Sequence, residues 1–190
     1  MQPTPVVIKH NNPCGAACDE VLARAFLRAY EGDPVSAFGS VIGLNRPVDA
    51  ETANALCEPG RYIEAIVAPD FAPEAFTTLT TRPTWKRNVR LLKVGTLETT
   101  TEAPEAPAPL DYRRISGGLL VQTRDCAPDA PDEWQVVSRR EPTDVERADL
   151  AFAWKVARHV KSNAIVFARD GQIVGVGAGH DHRGAAAGLE

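Results

Sequence analysis

Short apolar runs alternate with amphipathic stretches over the first 95 residues. Residues 6–8 form a β-branched run that ends at a dense turn signal, and residues 19–31 place their apolar side chains on one helical face. The same alternation continues, with strands predicted at 40–44, 62–67 and 88–94 and helices at 50–58 and 73–79. Asp49 is the predicted N-cap of the helix at 50–58. This order is typical of an α/β sheet covered by helices.

The second half of the chain predicts a smaller set of elements. Strands are expected at 115–122 and 134–138, and Thr143 with Glu146 matches a capping box that opens a helix running to about residue 161. Residues 163–168 and 172–177 flank an Asp-Gly pair, which predicts a β-hairpin.

A proline-rich stretch divides these two halves. Residues 98–109 contain three prolines and no bulky apolar side chain, which indicates an extended linker. The predicted organisation is therefore a first α/β subdomain at 1–97, a linker at 98–111, a second and incomplete α/β subdomain at 112–183, and a Gly/Ala tail at 184–190.

Composition limits the kinds of molecule that the chain is expected to bind. The 190 residues carry 21 Lys and Arg against 25 Asp and Glu, for a formal net charge of −4, and no Lys/Arg run is present. Nucleic-acid and membrane surfaces need clustered positive charge, so we expect neither partner and favour small molecules. The sequence shows no 18-residue apolar run and no signal-peptide pattern at its start, so a cytoplasmic location is expected.

The four cysteines do not suggest a metal site or a disulfide scaffold. Cys14 and Cys18 are the only close pair, and no second pair completes a zinc pattern. We expect reduced thiols and no bound metal. A zinc deaminase is also disfavoured, since the sequence has no H-x-E element and the Cys14 to Cys18 spacing is one residue too long.

Lys9 and His10 are the first candidates for chemistry. They follow an apolar strand and precede a loop that contains Gly15, and α/β sheets place functional groups at the carboxyl ends of their strands. Together with two asparagines they supply a cation, a base near neutral pH and amide groups, although a lone histidine is more often structural. Phe38 and Gly39 offer a ring and a close backbone approach, but an ordinary turn has the same composition.

Six ordered segments carry a resemblance to a known family over residues 5–179. They are Lys9–Gly15, Asp33–Gly39, Glu64–Pro69, Ile115–Gln122, Trp154–Ala164 and Gly175–Gly179. Their order and spacing resemble the transformylase region of the bifunctional purine biosynthesis family, which joins AICAR transformylase to IMP cyclohydrolase. The resemblance implies a cytidine deaminase-like mixed sheet, a homodimer, and formyl transfer from the co-substrate 10-formyltetrahydrofolate to the nucleotide AICAR.

The resemblance also implies residue roles. His10 matches the general base, and Asn163 matches an asparagine that binds near the reacting amine. Lys9 matches the cation that either stabilises the oxyanion of the tetrahedral intermediate or protonates the leaving folate nitrogen. Phe38, Gly39 and Glu64 match positions that contact the nucleotide. Arg183 matches, less closely, an arginine suited to a phosphate or a folate carboxylate.

Compared with that family, the sequence is expected to be truncated at both ends. The cyclohydrolase domain and about the last third of the transformylase region have no counterpart here. We therefore expect weak or no formyl transfer from this chain. A non-catalytic nucleotide-binding or assembly module derived from the same enzyme is the alternative.

Overall fold

A computed structural model describes residues 2–97, 109–125 and 130–178 of the chain. Their contacts divide the chain into two compact units. The first joins Met1–Leu97 to Ser138–Glu190, and the second is Glu98–Val137. Across the described ranges, no helix is both long and apolar enough to cross a membrane.

The first unit is built on a five-stranded mixed sheet. Its strands are β1 (Val6–Lys9), β2 (Asn12–Ala16), β3 (Ser40–Gly43), β4 (Ile63–Ala68) and β5 (Arg90–Lys93), in the spatial order β2-β1-β3-β4-β5. β1 runs antiparallel to both of its neighbours, whereas β3, β4 and β5 are mutually parallel. The predicted α/β class with a mixed sheet is confirmed.

Three helices lie between these strands and bury their apolar faces against the sheet. They are α1 (Leu22–Glu31), α2 (Ala50–Leu56) and α3 (Pro73–Thr81). On α1, Phe26 and Ala29 are fully enclosed, as the helical spacing predicts. α2 begins where the Asp49 carboxylate accepts the Thr52 N–H at 2.7 Å, which is the expected N-cap.

β2 is a strand where the sequence predicted only a turn. The chain reverses at His10 and Asn11, whose φ values are 50° and 64°, and then pairs back along β1. Pro13, Cys14 and Gly15 are poor strand formers by propensity, so packing decides their conformation. At Gly15 an added Cβ would lie 1.9 Å from the carbonyl oxygen of Ala29, so α1 can approach β2 only because this residue has no side chain.

The final elements of the first unit are α4 (Asp144–Ala157), β8 (Ile165–Arg169) and β9 (Gln172–Gly177). The capping box between Thr143 and Glu146 is present, and α4 ends four residues before the predicted limit. Arg140 makes two hydrogen bonds to Glu146, and these with the Thr143 contacts lower the pKa of that carboxyl to about 2. β8 and β9 form the predicted hairpin through Asp170 and Gly171.

The β8–β9 hairpin is attached to the sheet by polar contacts at its turn. The Cys18 N–H donates to Gly171 at 2.8 Å, and Arg28 donates to the carbonyls of Cys18 and Asp170 at 2.6 and 2.5 Å. Asp149 of α4 accepts both N–H groups of the turn. These contacts join residues 138–178 to residues 2–97 within one compact unit.

A small apolar cluster completes this attachment. Ile173 of β9 is 1% exposed and packs with Ala16, Val156 and Val160. Burial of such a side chain contributes about 1.5–3 kcal/mol. The end of α4 is therefore fixed against the edge strand β2.

The second unit contains the hairpin of β6 (Leu110–Ile115) and β7 (Gly118–Thr123). The single strand predicted at 115–122 is wrong, because Gly117, with φ 80°, forms the turn between two strands. The strand predicted at 134–138 is also absent, and Trp134 instead follows a 3₁₀ turn at Pro131–Glu133. Most of the predicted linker and the whole Gly/Ala tail at 184–190 lie outside the described residues.

We expect Gly15→Ala to destabilise the chain by about 1–3 kcal/mol or to prevent its folding, because the new methyl group would overlap the Ala29 carbonyl. Urea denaturation measures the change. Gly118→Ala is the matched control, since its Cβ would meet only the Ile115 side chain at 3.9 Å. Equal stability of the two variants would contradict the close approach of α1 to β2.

Candidate active site

Lys9 joins the end of β1 to the start of β3. Its ammonium donates to the carbonyl oxygens of Phe38 and Gly39 at 2.7 and 2.8 Å. These bonds use two of the three N–H donors of an ammonium group. The cation is therefore held at a fixed position beside the turn that precedes β3.

His10 occupies the turn after β1 and is exposed. Its carbonyl oxygen accepts from the Lys161 ammonium at 3.4 Å, and the Asn12 side chain accepts the Lys161 N–H at 2.9 Å. The segment after α4 thus lies against the turn that carries the histidine. Asn163 is exposed and follows Lys161 by two residues, so this contact brings its segment to the same side of the sheet.

Phe38 and Gly39 form a turn that is held by the beginning of β4. The Gly39 N–H donates to the Tyr62 carbonyl at 2.7 Å, and the Phe38 ring stacks on the Tyr62 ring with centroids 5.4 Å apart. Gly39 has φ 71°, a conformation that favours glycine. Phe38 is 56% exposed, so one face of an aromatic platform is open to a ligand.

Glu64 adds a carboxylate beside this platform. Its side chain pairs with Arg90 of β5 at 3.3 Å. A hydrogen bond from the Tyr62 hydroxyl to Glu64, together with the negative charge of that carboxylate, raises the pKa of Tyr62. The Phe38 and Tyr62 rings, which precede β3 and β4, and the Glu64–Arg90 pair, which joins β4 to β5, therefore lie at the same edge of the sheet.

The strand directions explain why these groups share one edge. Lys9 lies at the carboxyl end of β1, as expected for a functional group in an α/β sheet. Because β1 is antiparallel to β3, that edge coincides with the amino ends of β3 and β4. Gly39 and Glu64 reach the site from the amino ends of their strands, which the rule about carboxyl ends does not anticipate.

Cys14 of β2 carries a thiol whose burial disfavours the thiolate. Burial raises the pKa of Cys14 to about 11, so its thiol stays protonated and is a poor nucleophile at neutral pH. Within the ranges 2–97, 109–125 and 130–178, no group of three potential metal ligands comes together. Arg183 lies outside the described residues.

Two contacts at the site are not evident from the sequence pattern. From the sequence alone, Tyr62 is predicted to be an ordinary strand residue, although in the structure it precedes β4. Lys161 is predicted to be a charged residue at the end of a helix. The Lys-Ser-Asn run at 161–163 is the one local signal that could have indicated Lys161. The contact of Tyr62 with the turn before β3 follows from the pairing of β3 with β4 and cannot be inferred from either segment alone.

A family model for the AICARFT/IMPCHase bienzyme matches residues 1–189, and the chain therefore belongs to this family. Its relatives include the bifunctional purine biosynthesis protein PurH of Rhodopirellula baltica, 50% identical over 96% of this chain, and that of Persephonella marina, 48% identical over 94%. The protein of the same name from Myxococcus xanthus is 46% identical over 95%. The matches cover 34%, 32% and 34% of these relatives, so the chain spans about a third of their length.

We expect Gly39→Ala to displace the Lys9 ammonium, because a Cβ at residue 39 would lie 2.9 Å from that nitrogen. Gly60→Ala is the matched control. It imposes a similar left-handed strain at φ 87° but adds a methyl group to open space. Backbone strain alone lowers the free energy of unfolding by about 1–3 kcal/mol in each variant. Gly39→Ala should show a larger loss than Gly60→Ala, because it also displaces Lys9.

Chemical denaturation measures the stability of both variants. The ¹⁵N resonance of the Lys9 ammonium shows whether its environment has changed. An unchanged Lys9 resonance in Gly39→Ala, with equal stability losses in the two variants, would show that the turn does not hold the lysine.

Proposed function

We propose that this chain contributes the formyl-transfer site of its family, moving a formyl group from 10-formyltetrahydrofolate to the 5-amino group of AICAR. The observation that carries the proposal is the double hydrogen bond from Lys9 to Phe38 and Gly39. These bonds place a fixed cation and the adjacent exposed histidine beside an open aromatic ring at one edge of the sheet. The names of the relatives support a role in purine biosynthesis.

The acceptor amine needs a base. Its lone pair is delocalised into a ring that carries a carboxamide, so attack on the formyl carbon requires loss of a proton from nitrogen. In the proposed step His10 takes that proton while the new C–N bond forms. The bond between the formyl carbon and the folate nitrogen then breaks. That nitrogen receives a proton from the His10 imidazolium or from the Lys9 ammonium as tetrahydrofolate leaves, and where Lys9 is the donor it recovers its proton from His10.

Lys9 is proposed to stabilise the oxyanion of the tetrahedral intermediate. A charged donor that is already in position stabilises developing negative charge without reorganising in the transition state. The two carbonyls that bind Lys9 supply this pre-organisation. Asn163, on the segment that Lys161 holds beside His10, is proposed to hydrogen-bond the substrate near the reacting amine.

The remaining groups suit the nucleotide. The open face of Phe38 is suited to stacking on the imidazole ring, and Gly39 allows the ligand to approach the backbone. Glu64 is suited to the ribose hydroxyls. Arg183 is proposed to bind a phosphate or a folate carboxylate.

We further propose that turnover by the 190-residue chain is weak and that a second subunit contributes to the site. His10, Phe38 and Asn163 are all exposed, whereas efficient acyl transfer benefits from enclosure and exact positioning of both reactants. Positioning alone can supply about 7–11 kcal/mol of a barrier. A site whose catalytic groups are open to solvent would therefore catalyse formyl transfer slowly.

The proposal is tested by a spectroscopic assay of tetrahydrofolate release with purified chain, AICAR and 10-formyltetrahydrofolate. We expect His10→Ala to lower the rate by about 100-fold or more, because the proton acceptor is removed. His159→Ala is the control, since His159 is another exposed histidine and lies after α4.

NMR titration with AICAR extends the test to a chain with little turnover. Shifts confined to the edge formed by His10, Phe38, Gly39 and Glu64 support the site, and binding without turnover favours the alternative of a nucleotide-binding module. A His10→Ala variant as active as the unaltered chain would exclude His10 as the base. AICAR shifts on another surface would contradict the whole proposal.

A further inference from the structure

Asn12 joins two segments of the candidate site that lie 149 positions apart in the chain. It is the first residue of β2, directly after the turn that carries His10, and its side chain accepts the Lys161 N–H at 2.9 Å. We propose that Asn12 is a positioning residue that sets Asn163 at the distance from His10 that the acceptor amine of the substrate requires. This inference rests on the proposed function, because the roles of His10 and Asn163 belong to it.

The backbone of Asn12 is fixed by the pairing of β1 with β2. Asn12 lies opposite Lys9, and only His10 and Asn11 separate the two. Both turn residues have positive φ values, 50° and 64°, as a tight two-residue hairpin turn requires. Because such a turn sets the register of its strands, the Asn12 side chain projects from a defined position beside His10.

The chain that follows α4 is attached at this position. Val160 is buried with Ala16 of β2 in the small apolar cluster. The next residue, Lys161, donates its N–H to the Asn12 oxygen at a separation close to the optimum for such a bond. Asn163 comes two residues later, so the position of its segment relative to β2 depends on this hydrogen bond.

The ammonium of Lys161 is a weaker attachment than its backbone N–H. It donates to the His10 carbonyl at 3.4 Å, beyond the usual range of N–H···O distances, and Lys161 is exposed. Asn12, by contrast, is half-buried. Loss of the Asn12 acceptor should therefore loosen the segment even though Lys161 keeps its charge.

The inference assigns the role to one atom, the side-chain oxygen of Asn12. Asn12→Asp keeps an oxygen acceptor at this position, whereas Asn12→Ala removes it. A residue that bound the substrate directly through its amide N–H groups would lose that contact in both variants. A positioning residue should instead be rescued by Asp, and its effect on ligand binding should depend on Asn163.

The experiment compares Asn12→Ala, Asn12→Asp, Asn163→Ala and the double variant of Asn12→Ala with Asn163→Ala. Asn54→Ala is the matched control, since the exposed Asn54 side chain on α2 also accepts a long-range hydrogen bond, from Arg82. Calorimetric titration measures AICAR affinity, and urea denaturation measures stability. NMR without ligand records hydrogen exchange of the Lys161 amide and the backbone resonance of Asn163.

For Asn12→Ala we expect about 3- to 10-fold faster exchange of the Lys161 amide, a shifted Asn163 resonance and about 3- to 10-fold weaker AICAR binding, the range that one hydrogen bond contributes. Asn12→Asp should match the unaltered chain in all three measurements. The double variant should bind AICAR no more weakly than Asn163→Ala, because Asn12 acts through Asn163. Asn54→Ala should lose a comparable amount of stability while its AICAR affinity and Lys161 exchange stay unchanged.

The outcomes separate this inference from the proposed function. Unweakened AICAR binding in Asn12→Ala, equally weak binding in Asn12→Asp, or additive losses in the double variant would each overturn the positioning role while the function stands. Unchanged Lys161 exchange in Asn12→Ala overturns the role whether or not AICAR binds.

Two further results bear on both statements. If Asn163→Ala binds AICAR as well as the unaltered chain does, the proposed role of Asn163 is wrong and the role of Asn12 falls with it. If AICAR does not bind the unaltered chain, the proposed function itself is contradicted, and no positioning role toward that substrate remains.

Discussion

The Lys9 ammonium, bound to two backbone carbonyls, is the interaction on which the candidate site depends. It links the carboxyl end of β1 to the turn before β3, and that turn is held by Tyr62, the residue before β4. Three strands are therefore brought into register at the edge where the chemistry is proposed. The same lysine serves as a structural cross-link and as the proposed oxyanion-stabilising cation, so the site is ordered before any ligand arrives.

A second set of contacts brings a distant part of the chain to this edge. Arg28 and Asp149 bind the turn of the β8–β9 hairpin. Ile173 of β9 is buried in the apolar cluster that packs α4 and the hairpin against β2. The end of α4 is fixed as a consequence, and Lys161 then reaches the carbonyl of His10. Residues separated by about 150 positions are positioned by packing remote from the proposed chemistry.

Much of the fold could be predicted because its signals are local. Asp49 and the Thr143 capping box mark helix starts, and Asp170-Gly171 marks a hairpin, as the structure confirms. β2 could not be predicted, because Gly15 is selected by the approach of α1 rather than by strand propensity. The roles of Lys9, His10 and Asn163 are implied by a family resemblance and stay predictions. The contacts of Tyr62 could not be predicted, because Phe38 and Gly39 lie in the turn before a different strand.

A crystal structure of this chain with bound AICAR would show whether the edge around Lys9 is the nucleotide site. We expect the imidazole ring on the open face of Phe38, the ribose beside Glu64, and the 5-amino group within hydrogen-bond reach of His10. The Lys9 ammonium should retain its bonds to the turn. AICAR bound at a different surface, or at this edge with its amino group directed away from His10, would contradict the account.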